Sequence, residues 1–219
     1  MDKIIPVWKP VGLSSFDVIR RVKQINPSLK VGHCGTLDPF AEGVLILCTG
    51  KLTKNSSDYV NLDKTYRSTF IFGEETDTLD KTGIIIKKSN NNYMLVEDDV
   101  CATIKNFVGD ILQSPPSFSA KKIFGVKMYD LARKNIFIKR RKTPVSIYDI
   151  KLKDIKNNKL DLEINCGKGT YIRSLARDIA YSLNTYAYVE TLQRISIGEY
   201  DKNNSIKYKE LNKCLLDMN

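Results

Sequence analysis

Residues Gly32 to Gly50, reading GHCGTLDPFAEGVLILCTG, join a turn punctuated by glycine and proline to an unbroken apolar run. Turn residues bound that run on both sides, so it predicts a buried strand and not a helix. Any fold for this chain must therefore set one carboxylate, Asp38, on a tight turn immediately before a buried strand. Pro39 restricts the backbone on the far side of Asp38, and Gly35 lets neighbouring chain or substrate approach closely. An Asp before Pro commonly caps local backbone donors. A catalytic group presented on a fixed turn is the other reading.

Periodicity elsewhere is clear in places. Ser14 followed by Asp17 reads as a capping box, and Val18, Ile19, Val22 and Ile25 repeat at helical spacing until Asn26-Pro27 stops the run. Lys64 to Phe72 alternates, with Tyr66, Ser68, Phe70 and Phe72 on one face, and Leu160, Leu162, Ile164 and Cys166 alternate with polar residues. Both predict strands with one buried face. Acids at Glu97 to Asp99 suit the positive end of a second helix, with a stripe of Val100, Ile104, Phe107 and Val108 closed by Gly109. A third helix is expected near Tyr171, turning Ile172, Leu175, Ala176, Ile179 and Leu183 inward. Between about 114 and 143 periodicity is weak. Strands and helices without a strict βαβ rhythm argue for an α+β sheet domain, and no repeat, low-complexity linker or clear boundary divides residues 1–219.

The net charge of +10 is unevenly placed: residues 121 to 159 carry 13 Lys or Arg against three Asp, while the remainder balances 22 bases with 22 acids. Lys139-Arg-Arg-Lys142 is the densest point. Such a segment fits a polyanion binder, and also a solvated lysine-rich surface. Phe118, Phe124, Tyr129 and Phe137 interleave with the charge, which suits an RNA-contacting flap or a small satellite core. Five widely spaced cysteines without a C-x-x-C pair indicate a reducing, cytoplasmic setting. No apolar run is long enough to cross a bilayer. His33 is the sole histidine and the thiols do not cluster, so no zinc ligand set is expected. Gly43 to Lys51 and Gly167-Lys-Gly169 both lack the glycine spacing of nucleotide-phosphate loops.

The Asp38 string, with Lys9-Pro10 and Gly12-Leu-Ser-Ser upstream, resembles the first signature of the TruB-type tRNA pseudouridine synthases. Lys64-Thr-Tyr66-Arg67, Glu75-Thr-Asp-Thr-Leu-Asp80 with Gly83, and Cys166-Gly-Lys-Gly-Thr-Tyr-Ile-Arg173 are similar to further family signatures, as are the Ser114 to Lys121 and Leu192-Gln-Arg194 blocks. The blocks fall in the family's order over about residues 3 to 200. Cys34, Glu42 and Gln193 depart from the residues that relatives often carry. Many bacterial members continue into a PUA-type RNA-binding domain, whereas this sequence stops at Asn219, so a form lacking that domain is expected.

The resemblance implies the pseudouridine synthase fold, a mixed central β-sheet with flanking helices and RNA-gripping loops, one of them the insertion at about 114 to 143. It implies isomerisation of uridine 55 in the T-arm of tRNA without a cofactor. Asp38 is then the carboxylate acting at the ribose, Arg173 the cation that keeps it ionised, and Tyr66 the platform for the uracil. Leu192 is expected against the same base, His33 in the space left by a flipped-out nucleotide, and Lys9 and Pro10 beneath the turn. Lys121, Lys139, Arg140 and Arg141 are expected on the RNA. No protein partner is indicated and a monomer is expected. A non-catalytic tRNA-binding or folding protein is the alternative from another class. A glycoside hydrolase would need a second acid, and the sequence identifies none.

Overall fold

The structure is a computed structural model that describes residues 2–89, 94–119, 122–123, 126–133, 136 and 141–216. In chain order the elements are β1 (Ile4–Lys9), α1 (Ser15–Ile25), β2 (Val31–His33), β3 (Glu42–Thr49), α2 (Ser56–Asn61) and β4 (Lys64–Phe72). They continue as β5 (Glu74–Thr76), β6 (Ile85–Lys88), α3 (Glu97–Lys105), β7 (Gly109–Gln113), β8 (Lys122–Ile123), β9 (Val126–Lys127) and α4 (Met128–Arg133). The last are β10 (Thr143–Lys156), β11 (Lys159–Cys166), α5 (Ile172–Ser182), β12 (Ala187–Ile197), β13 (Ile206–Lys207) and α6 (Leu211–Leu216). The chain divides into two compact units, residues 1–66 with 192–219, and residues 67–191.

In the first unit β3 is central. It pairs antiparallel with β1, matching Val7 to Leu45 and Lys9 to Gly43, and antiparallel with β2, matching Gly32 to Cys48. The end of β12 lies parallel to it, Gln193 opposite Glu42, while β13 runs parallel to β1. One sheet face packs Ile5, Val7, Leu45 and Leu47 against Val18 and Val22 of α1 and Leu211 and Leu215 of α6. The other face gathers Cys34, Val44, Ile46, Cys48 and Ile197. Apolar contact on both faces explains why the β3 sequence shows no polar alternation.

Helix α1 starts as its sequence requires. The Ser14 hydroxyl accepts the Asp17 N–H at 3.1 Å, and the Asp17 carboxylate accepts the Ser14 N–H at 2.8 Å, closing the capping box. Removing Val18 and Val22 from water stabilises the packed helix by roughly 1.5–3 kcal/mol each.

The second unit orders its strands β12, β4, β11, β10, β7. Strands β10 and β11 form a long antiparallel hairpin, Leu152 opposite Leu162, whose turn holds Asn157 at φ 55°, a conformation asparagine tolerates. The alternation predicted for β11 holds, with Leu160, Leu162, Ile164 and Cys166 all buried. Helix α5 buries Ile172, Leu175, Ala176 and Ile179 as expected, with Leu183 as its C-cap. Helix α3 is shorter than its stripe suggested. After Lys105 the chain tightens through Asn106 N–H to Thr103, Phe107 to Ile104 and Val108 to Lys105 carbonyls. Those i→i−3 bonds take Phe107 and Val108 off the helical stripe, and Val108 is exposed. Gly109, at φ 111°, opens β7 instead of only closing a helix. The segment expected as an RNA-contacting insertion is described in part, as β8, β9 and α4. Among the described residues no helix is long and apolar enough to cross a membrane.

Candidate active site

The Asp38 turn is tied down by four segments. Helix α1 holds it through Ser15, whose hydroxyl accepts the Leu37 N–H at 2.8 Å and donates to the Leu37 carbonyl at 3.0 Å. The loop before α1 adds the Gly12 N–H, which donates to the Pro39 carbonyl at 2.7 Å. Strand β1 contributes Lys9, which continues the inward face of Ile5 and Val7 and is 0 % exposed. Its ammonium donates to the carbonyls of Pro10 at 3.0 Å, Leu13 at 2.7 Å and Ala41 at 2.6 Å. Strand β12 brings in Arg194, 1 % exposed, whose guanidinium donates to Val44 O at 2.7 Å, Thr36 O at 3.3 Å and Gly35 O at 3.2 Å. Asp38 itself is half-buried at the crest, its carbonyl accepting the Ala41 N–H at 3.1 Å.

Glycine has a steric reason at Gly43. There φ is 122°, and a Cβ would sit 2.2 Å from the Arg194 carbonyl oxygen, so only glycine lets β3 and β12 meet at this register. Beside it the Gln193 amide donates to Glu42 at 2.7 Å. Two of the three residues that depart from the common family pattern thus satisfy each other.

Two buried cations beneath one turn shape its electrostatics. Burial pushes the Lys9 ammonium down to about 8, reinforced by Arg194 and opposed by Asp38 and Glu42. His33, at the end of β2, is lowered below its ordinary value by burial and then by Arg194, which favours the neutral imidazole. Its Nδ1 is buried and has no hydrogen-bond partner among the described residues. The Cys34 and Cys48 sulfurs lie 2.9 Å apart, and burial pushes both thiols up, away from the reactive thiolate. Tyr66 on β4 and Leu192 on β12 are buried in the same unit.

The second unit contains Arg173, in the first turn of α5. A freestanding helix-start arginine would be solvated, but this one is 5 % exposed. Its guanidinium donates to Thr78 O at 2.8 Å and Phe118 O at 3.0 Å, and lies 3.4 Å from an Asp80 carboxylate oxygen. Asp80 is held in turn by the Thr78 hydroxyl at 2.9 Å and the Thr82 N–H at 3.0 Å. The start of α5 is fastened by Gln113, which accepts the Tyr171 N–H at 2.8 Å and donates to the Tyr171 carbonyl at 3.1 Å. These contacts fix the plane and orientation of a cation of the kind that pairs with a carboxylate or phosphate through a fork of N–H groups.

Sequence reasoning assigned no part to Ser15, Asp80 or Arg194. Arg194 had a signal: it follows Leu192 by two positions on a strand whose Leu192 phase is buried, so a charged residue there has to be enclosed. Arg141 is described and exposed, whereas Lys121, Lys139 and Arg140 lie outside the described residues. Part of the basic segment is engaged locally, with Lys153 3.4 Å from Glu163 and Lys159 3.0 Å from Glu190.

The model of the TruB family pseudouridylate synthase N-terminal domain matches residues 20–172. The chain is 43% identical over 212 residues to the tRNA pseudouridine synthase B of Clostridium acetobutylicum, covering 97% of this chain and 73% of that protein. It is 46% identical over 201 residues to the enzyme of the same name from Fusobacterium nucleatum, covering 91% and 69%. Among solved structures, a chain of a Cbf5-Nop10-Gar1 complex superposes with a TM-score of 0.74 at 26% identity, over 96% of this chain and 53% of that one. A chain from an H/ACA RNP bound to a substrate RNA containing 2′-deoxyuridine gives 0.71 at 23% identity, again over 96% of this chain but 52% of its own length. The chain thus spans about half the length of those solved chains.

Proposed function

The chain belongs to the TruB family of pseudouridylate synthases, and from that premise we propose that it converts uridine 55 in the T-arm of tRNA to pseudouridine, with Asp38 as the catalytic carboxylate. The reaction breaks the bond between uracil N1 and ribose C1′, turns the base and rejoins it through C5. Formula and redox state are unchanged, so the chemistry asks for an ionised carboxylate at C1′ or C2′ of the ribose and a group that takes the C5 proton. Arg173 supplies the cation that keeps Asp38 ionised once a nucleotide excludes water. Tyr66 and Leu192 hold the detached uracil, and His33 fills the place of the extruded nucleotide. Arg141, with Lys121, Lys139 and Arg140, meets the phosphates. The enzyme acts in the cytoplasm as a monomer.

The observation that supports this reading most directly is the restraint of the Asp38 turn. Three side chains and a backbone bond hold the seven residues from Gly35 to Ala41, whose crest carries one half-buried carboxylate. Such restraint serves a group that must meet a reacting atom within a fraction of an ångström. A turn whose Asp only capped its own backbone would have no use for it.

The test is carbodiimide-based mapping of tRNA incubated with the purified protein, which reports activity and position together. Modification is expected at uridine 55, and Asp38→Asn is expected to abolish it while tRNA binding persists. Appreciable turnover by purified Asp38→Asn would remove Asp38 from the chemistry, and modification at another uridine would overturn the assigned position.

A further inference from the structure

Arg194 is placed unusually for a charged residue. It is enclosed on a strand, and among the described residues its three hydrogen bonds go to main-chain carbonyls and none to a carboxylate. A methionine of similar volume would fill the same space without the desolvation that a buried guanidinium incurs. What the methionine lacks is a planar group with several N–H donors in a fixed fork. That fork bridges the two limbs of the Asp38 loop. Gly35 and Thr36 precede the aspartate, Val44 follows it on β3, and Lys9 secures Ala41 between them.

We propose that Arg194 is the positioning residue of the Asp38 turn, its single guanidinium fixing the separation of the two limbs and hence where the Asp38 carboxylate meets the substrate ribose. This rests on the reading of Asp38 as the catalytic carboxylate. Arg194 touches neither the sugar nor the base; it acts through the backbone. The Cβ position of Gly35 lies 3.9 Å from the Arg194 guanidinium, so the leading limb packs directly on that group. The same cation faces Lys9 and His33, whose ammonium and imidazole it disfavours in their charged forms. His33, as the only histidine in the chain, reports on that cation by itself.

The experiment compares wild type, Arg194→Lys and Arg194→Met on a T-arm stem-loop RNA, with kcat and KM measured separately and the His33 imidazole titrated by proton NMR. Lysine keeps the charge but gathers its donors on one nitrogen, so it cannot hold Gly35, Thr36 and Val44 at the spacing set by three separate guanidinium nitrogens. Arg194→Lys is therefore expected to fold, to leave the His33 pKa near its wild-type value, and to lose about 100-fold in kcat with KM within about threefold, the scale of a reacting group misplaced by about 1 Å. Arg194→Met is expected to lose at least as much in kcat and to raise the His33 pKa. Wild-type kcat in a folded variant, a loss confined to KM, or an unmoved His33 titration in Arg194→Met would each overturn the proposal. Failure of both variants to fold would overturn it too, reducing Arg194 to support of the core. An inactive wild type would instead sink the assignment of uridine isomerisation, so the two failures are distinguishable.

Discussion

Lys9 is a lysine where the strand's own alternation demands an apolar side chain, and its burial has two consequences. An ammonium offers three donors and each finds a carbonyl, but a neutral amine has only two, so deprotonation releases one of the Pro10, Leu13 and Ala41 bonds. Since burial brings this group down to about 8, kcat is expected to fall on the alkaline side with an apparent pKa near that value as the Ala41 limb loosens. Stability moves the other way. In the unfolded chain Lys9 binds its proton up to about pH 10.5, so between about 8 and 10.5 the unfolded state holds more protons and rising pH favours folding. The penalty of burying the charge is fully present below pH 8 and amounts to about 3 kcal/mol. Urea unfolding of wild type and Lys9→Met at pH 7 and pH 10 checks the sign: the wild type should gain on the variant by about 2 kcal/mol at the higher pH. A constant difference would show that the amine remains charged in both states.

Helix α1 reaches the turn through two adjacent serines that do different work. Ser14 caps the helix, so Ser14→Ala is expected to lower unfolding free energy by about 1 kcal/mol and leave kcat unchanged well below the melting transition. Ser15 makes both of its bonds to Leu37, one residue before Asp38, so Ser15→Ala should cost about 1–2 kcal/mol and also reduce kcat. Equal kcat values in the two variants would mean that α1 supports the fold but not the turn. The cap of α1, the alternation of β4 and β11 and the buried run of β3 were legible because each depends on its own residues and one face. Ser15 was not, because its partner lies 22 positions away and only the packing of α1 beside the turn brings them together. Arg173 was singled out only through the family resemblance, for a related reason: what encloses it is Asp80, Thr78 and Phe118, all supplied by other segments.

At the scale of the whole chain, composition located charge better than it located boundaries. The division between the two units falls inside β4, after Tyr66, and inside β12, after Thr191, where neither composition nor turn residues change. A strand that passes from one unit into the other keeps a single alternation, so no sequence signal marks the crossing. The positive surplus was plain, yet what it does depends on geometry, because Lys151, Lys153 and Lys159 stand within 4 Å of Asp149, Glu163 and Glu190 and only part of the charge is left for a polyanion. Surface pairs of this kind contribute little and yield readily to a phosphate. RNA affinity should therefore follow counterion release. If about five phosphates are neutralised, log Kd against log salt has a slope of about 4, a loss of roughly 250-fold between 50 and 200 mM salt. Arg141→Gln should lower that slope by about one, whereas Asp38→Asn should leave it unchanged, since the carboxylate meets a sugar and not the phosphate chain. Fluorescence anisotropy on a labelled stem-loop measures all three slopes. A slope near zero in the wild type would assign binding to base stacking and shape, and would leave the basic surface as a solvated face.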